Sequence, residues 1–216
     1  MKKYIHVIFV TLSIACVLPG CKKSTGNPPK DYAAFINDKT WWGTLTYTGK
    51  TQEYYSVHFN AGNTLLWSQL SGDTQGQWTL DGKALTITFT GNTVEIKATI
   101  SDDDKLINIG DNTPNSEITS GQLIITPNVY LDNTQWKGSF PHNSQPFLLS
   151  FKSPLQVEEK SNGTFGPYNY VRVISGAAIR FSSAAFGGQV FGVIISNTEM
   201  RGNITAFNYE WKIIKQ

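Results

Sequence analysis

The chain reads as all-β: two similar antiparallel meander modules behind a short N-terminal leader. Three observations in the 216-residue sequence carry that expectation. From Tyr32 onward, short runs of Thr, Val, Ile, Tyr, Phe and Trp alternate with polar residues at period two, without convincing helical periodicity. Turn-forming residues such as Ala61-Gly62-Asn63, Asp81-Gly82 and Gly91-Asn92 separate those runs. The pattern of the first half then returns in the second.

The leader comes first. Met1-Lys2-Lys3 is basic, and Tyr4 to Leu18 is a mostly apolar run broken by His6, Thr11 and Ser13. A charged start, a greasy middle and small residues at the cut are the build of a secretory signal. The run is shorter than the roughly 18 residues of a spanning helix, and Pro19-Gly20 ends it. Leu18-Pro19-Gly20-Cys21 resembles the lipobox of bacterial lipoproteins, although Ala or Ser is commoner where Pro19 stands. The resemblance implies that residues 1–20 are a signal peptide and that Cys21 is acylated as the new N-terminus, the membrane being its partner. An incidental cysteine in an ordinary secreted protein is the alternative.

Cysteine usage favours the lipobox. Cutting before Cys21 discards Cys16 and leaves one thiol, which excludes disulfide stapling and calls for an explanation that acylation supplies. Each buried methylene adds about 0.8 kcal/mol, so several acyl chains anchor firmly. Lys22 and Lys23 follow the cysteine where an Asp, by resemblance to Gram-negative lipoproteins, favours the inner membrane. The expected location is therefore the outer membrane of a Gram-negative cell. Residues 21–34 read as the lipidated cysteine and a flexible tether. Its polar, Gly- and Pro-bearing composition cannot bury enough surface to fold, and ten extended residues reach about 30 Å.

Losing Lys2 and Lys3 with the signal leaves sixteen basic residues against sixteen acidic ones. A neutral chain without a basic stripe excludes nucleic acid as a partner.

The first module is expected over 35–128, with strands at Trp41–Thr48, Tyr54–Asn60, Thr64–Leu70, Gln77–Leu80, Ala84–Thr90, Thr93–Ser101, Lys105–Ile109 and Gln122–Thr126. Its opening, Ile36-Asn37-Asp38-Lys39-Thr40-Trp41-Trp42-Gly43, is echoed 95 residues later by Leu131-Asp132-Asn133-Thr134-Gln135-Trp136-Lys137-Gly138. The offset then becomes 92: Tyr55, Val57 and Phe59 match Phe147, Leu149 and Phe151, Trp78 matches Tyr170, and Leu85, Ile87 and Phe89 match Ala177, Ile179 and Phe181. At 95 again, Ile96, Ala98 and Ile100 match Phe191, Val193 and Ile195. The second module is therefore expected over 129–216.

Seven or eight strands in some ninety residues close into a small barrel or stack as a two-sheet sandwich. An opening strand with a Trp beside a Gly, followed by hairpins, resembles the lipocalin-like (calycin-type) β-barrels, which implies a ligand-carrying barrel. True lipocalins carry Gly-x-Trp and more residues per barrel, whereas the order here is Trp41-Trp42-Gly43 and Trp136-Lys137-Gly138. The second face of the first module is polar, with Ser56, His58, Thr86 and Thr88. That of the second module includes Leu148, Ala178, Val190 and Ile194, so a covering partner, the first module being the simplest, is expected for it.

Catalytic chemistry is not signalled. His58 and His142 have no metal-type spacing. Asp102-Asp103-Asp104 lacks the alternating ligands and distal Glu of a calcium loop and reads as a turn, and Glu158-Glu159-Lys160 reads as a solvated strand end. Neither a nucleophile elbow nor a phosphate-cradling Gly loop occurs, so neither an enzyme, a metal nor a cofactor is expected. Trp41, Trp78 and Trp136 fall on inward positions. Trp42, Tyr54 and Trp67 fit inside less readily and stand near Gln52, Asn60 and Gln69. Flat rings beside amides are what a sugar-binding surface offers; the plainer reading is that they cover a barrel end or the joint between modules. The function expected is a non-catalytic lipoprotein binding a small ligand or partner. The alternatives are a glycan-binding lipoprotein of an uptake system, or an inhibitor or interaction lipoprotein acting on an envelope protein through loops at 141–145 or 161–168.

Overall fold

Side chains that alternate at every second residue need a pleated strand, and in this chain the strands curl into two barrels. The structure, a computed structural model, describes residues 30–113, 116–124, 131–140, 144, 146–153, 156–161, 164–172, 176–183, 187–205 and 209–216. The leader, Cys21 and the first part of the tether lie outside the described residues, as does His142.

A short helix, α1 (Tyr32–Ile36), precedes the first sheet, its N-terminus capped by the Asp31 carboxylate, which accepts from Ala34 N at 3.0 Å. Five residues are too few to print a helical period on the sequence. The first sheet holds β1 (Lys39–Tyr47), β2 (Glu53–Asn60), β3 (Thr64–Gln69), β4 (Gly72–Asp81), β5 (Ala84–Phe89), β6 (Glu95–Ile100), β7 (Leu106–Asp111) and β8 (Ser116–Ile124). Its order is β7-β6-β5-β4-β3-β2-β1-β8, with β7 and β8 lying side by side so that the sheet is nearly shut. The second holds β9 (Thr134–Ser139), β10 (Pro146–Ser153), β11 (Gln156–Ser161), β12 (Thr164–Arg172), β13 (Ala178–Ser183), β14 (Gly188–Ile194), β15 (Glu199–Ile204) and β16 (Tyr209–Lys215). It closes fully, β9 pairing with both β10 and β16. Every pairing is antiparallel between sequence neighbours except for the closing pair, so these are barrel-like meanders and not sandwiches. Closure removes from the second the unpaired sheet edges that otherwise invite aggregation, while β7 and β8 remain the edges of the first.

The repeat is visible in the backbone. Trp41 pairs with Val57 and Trp136 with Leu149, which is the predicted equivalence at offsets of 95 and 92. The turn before each first strand carries a residue in the left-handed region, Asp38 at φ 58° and Asn133 at φ 58°. Asp and Asn tolerate that conformation better than other side chains. Ile36 and Leu131, two residues earlier, are both buried.

Correspondence slips in β14. The sequence match places Phe191 and Val193 inside the barrel, but Ile179 pairs with Gly192 and Phe181 with Val190. Cross-strand partners share a face, so Val190, Gly192 and Ile194 point inward and Phe191 and Val193 outward. The run Val190-Phe191-Gly192-Val193-Ile194 is apolar at every position and carries no phase to read, while a one-residue slip reverses every side chain. Inside, the Trp211 indole lies across Gly192 and Gly202: a Cβ on either would stand 2.6 Å from an indole carbon. Those glycines make room for the ring. With Trp136, Phe140, Phe147 and Phe151 also fully buried, the second barrel is filled by rings.

The first barrel has two unlike ends. At one, α1 sits on the core: Ile36 is buried, Phe35 meets Trp41 edge-on at 6.2 Å, and the Trp41 indole donates to Asp104 O at 3.3 Å. The other end is open.

Candidate functional site

The open end of the first barrel is where the sequence-nominated Trp67 lies. It pairs with Val57 and with Thr74 and therefore points inward. Only 5% of it is exposed, its ring stacked on Tyr55 with centroids 4.2 Å apart and planes 10° apart. Its Nε1 donates to Gln69 Oε1 at 2.9 Å, and Phe89 meets it edge-on at 5.8 Å. Above these rings is a cavity of about 100 Å³ open to solvent. Its walls are Leu45, Trp67, Phe89, Val94, Ile96 and Ile118, and its rim is Tyr47, Gln69, Thr74, Asn92 and Asp111. Apolar walls with a few polar groups at the mouth are the make-up of a small-ligand pocket.

Asp111 supplies the charge at that rim. It pairs with Ile96, which turns it to the inner face, and its Oδ1 accepts from Ser116 Oγ and from Thr113 N at 3.2 Å. Burial raises the pKa of the Tyr47 hydroxyl, and the carboxylates of Asp111 and Glu53 push it further up. Lys50 Nζ stands 5.9 Å from the Tyr47 ring centroid and opposes the rise that burial gives Glu53.

Trp42 and Tyr54 do not form a surface with Trp67. Both lie on the outer face of the first barrel, at its joint with the second. Tyr54 is buried among second-barrel residues, and the half-buried Trp42 packs beside it with ring centroids 6.0 Å apart. Arg201 lies 5.9 Å from the Trp42 ring. Tyr54 N donates to Asn203 Oδ1 at 2.7 Å, and Asn203 Nδ2 donates to Gln52 O at 2.9 Å. Arg180, lying over the outward Phe191 ring, donates through Nη2 to Gln69 O at 2.6 Å and to Asp73 Oδ1 at 2.9 Å. These three residues therefore do not form one exposed aromatic surface, the alternative read from the sequence; as in the plainer reading, two rings join the modules and the third lines a barrel end. Gln52 and Gln69 are likewise engaged by the joint through their carbonyl oxygens.

The remaining nominated groups are structural in their contacts. His58 is buried on the outer face of β2, with Nδ1 2.8 Å from Thr40 Oγ1 and Nε2 3.5 Å from Asp38 Oδ1. Burial lowers its pKa, against the pull of Asp38. In the turn after β6, Asp102 meets Lys83 at 2.5 Å and Asp103 meets Lys105 at 2.6 Å; hydrogen bonds from Lys105 and Ser101 hold Asp103 down at about 2. Among the described residues, no group of three His, Cys, Asp or Glu side chains could hold a metal.

Glu159 departs from expectation. It is 1% exposed, pairs with Leu149 and points into the second barrel; it is not a solvated strand end. Neither carboxylate oxygen has a hydrogen-bond partner of ordinary geometry, and burial raises its pKa against the opposing effect of the Ser183 hydroxyl. The repeat offset of 92 was the signal that could have found it, since it superposes Glu159 on Trp67. Asp111, Phe89 and Val94 were missed because the cavity draws them from two strand ends and a turn.

Comparison with known proteins gives no relative: no family model, no curated protein and no solved structure matches the chain.

Proposed function

We propose that the chain is a lipid-anchored outer-membrane protein without catalytic activity that binds a small molecule in the cup of its first module. The carrying observation is the contrast between the two barrels. The first keeps an apolar cavity at its open end, walled by Trp67, Phe89 and Val94; the second is filled by Trp136, Phe147 and Trp211. One module then binds and the other supports it, each as a lipocalin-like meander. The Leu18-Pro19-Gly20-Cys21 lipobox supports the anchor.

Native mass spectrometry of the purified protein after exposure to envelope extract tests this reading. A discrete small-molecule mass, lost when Val94→Trp fills the cup, supports it; a bare mass, or an adduct that survives Val94→Trp, refutes it.

A glycan-binding role has a separate basis. A groove of about 390 Å³ beside β3 and β4 is lined by Asn60, Thr64, Gln75, Gln77 and Thr90. Amides and hydroxyls in that density suit sugar hydroxyls. Glycan-array binding that disappears with Gln75→Ala and Gln77→Ala would move the function to this groove.

A further inference from the structure

Resting on the reading of the cup as a ligand site, we propose that its ligand is a small ammonium compound with one aromatic ring, the ring set against Trp67 and Phe89 and the cation at Asp111.

Size restricts the inserted part. A hydrocarbon-lined cavity of about 150 Å³ accepts benzene, and this one offers about 100 Å³ with an open mouth. A single ring enters partway; a sterol nucleus does not. The rings already present favour an aromatic guest, because edge-to-face and offset contacts add to apolar burial. Phe89 against Trp67 shows the first geometry and Tyr55 under Trp67 the second.

Hydrogen-bond accounting at the rim decides the polar end. The Trp67 Nε1–H is given to Gln69, and the Gln69 amide donates to Ser71 at 2.6 Å. Thr113 N–H and Ser116 O–H are both given to Asp111. The charged group among the described rim residues is the Asp111 carboxylate, beside the uncharged Tyr47, Thr74 and Asn92; it is held in place by neutral donors and absent from the ion pairs of the described residues. Among the described residues, the lining contains neither Lys, Arg nor His. An anionic ligand would meet a fixed negative charge in a partly desolvated mouth, where charge interactions exceed those in bulk water. A cation completes it.

Calorimetric titration of the full acylated protein in detergent tests the proposal with three probes of one shape: 2-phenylethylammonium, 2-phenylethanol and phenylacetate. The amine is expected to bind at least tenfold tighter than the alcohol, with phenylacetate weakest. Asp111→Asn should bring the amine to the level of the alcohol and leave the alcohol unchanged. Thr74→Lys, which adds a cation at the exposed rim, should invert the ranking and serves if Asp111→Asn folds poorly. Equal binding of amine and alcohol, or a ranking indifferent to both substitutions, overturns the proposal and leaves the cup reading standing. Failure of all three probes, with an extract-derived adduct still lost in Val94→Trp, overturns the ligand class alone. Amine binding that survives Val94→Trp places the cation elsewhere and overturns it too.

Discussion

Trp67 and Glu159 occupy the same register position in the two modules. Trp67 lies opposite Val57 and Glu159 opposite Leu149, while Val57 and Leu149 in turn face Trp41 and Trp136. In one barrel the position carries a ring at the floor of a cup; in the other it carries a buried carboxyl. The two modules share a scaffold and differ in what one inward position does.

The carboxyl weakens its own barrel. A buried polar group without a full set of partners costs about 1–3 kcal/mol, so Glu159→Met is expected to raise thermal stability at pH 7. For a chain of this size that corresponds to about 2–4 °C in Tm per kcal/mol. The sign follows from linkage. Because the folded pKa is raised above 4.5, the unfolded chain loses its proton first as pH climbs, and the penalty grows through that interval. The advantage of Glu159→Met should therefore shrink below about pH 4.5, where both states hold the proton. Melting curves from pH 4 to 8 on both proteins check this, and a constant gap would contradict it.

Asn203 is the joint's most constrained residue, fully buried and spanning the modules to Tyr54 N and Gln52 O. Asn203→Ala leaves an N–H and a carbonyl unpaired in a dry interface, a loss of about 2–4 kcal/mol. The expected outcome is two denaturation transitions in place of one, with faster amide exchange at Tyr54. A single transition at the original midpoint would show that the apolar contacts alone couple the modules.

His58 gives the fold an acid-side weakness. Its folded pKa lies below 6.5, so as pH falls past that value the unfolded state takes up a proton before the folded state does. Stability present at pH 7 is lost towards pH 5, and His58→Gln should flatten that part of the profile. An NMR titration with a midpoint above 6.5 would reverse the sign.

For the anchor, Cys21→Ser is expected to abolish acylation and release the protein from membranes. Metabolic labelling with palmitate followed by fractionation reads both effects, and unchanged membrane attachment would exclude the lipoprotein reading.

Much of the fold was legible because an inward ring every second residue is a strong signal: Trp41, Val57, Trp78 and Ile87 announced both the strands and their repetition. Where both faces are apolar the signal vanishes. In β14, Phe191 and Val193 look as inward as Val190 and Ile194 do. In β3, Leu65-Leu66-Trp67 hides which residues face the core. The joint explains the first ambiguity, since the outer face of β14 packs on β2 and must itself be apolar. Of the cup, only Trp67 was singled out by the sequence. The cup is assembled from residues as distant as Leu45 and Ile118, each ordinary in its own strand, and an inward Asp111 is indistinguishable by sequence from one turned to solvent.

The bonds from Asn203 to Gln52 and Tyr54 also impose an order of events on a chain made N-terminus first. The first eight strands can pair as soon as Ile124 is available, yet the face carrying Trp42, Tyr54, Leu66 and Leu70 stays bare until β14 and β15 have been made. Exposed apolar surface of that kind is where newly made chains clump. The second module covers that face from within the same molecule, at a local concentration that no diffusing partner matches.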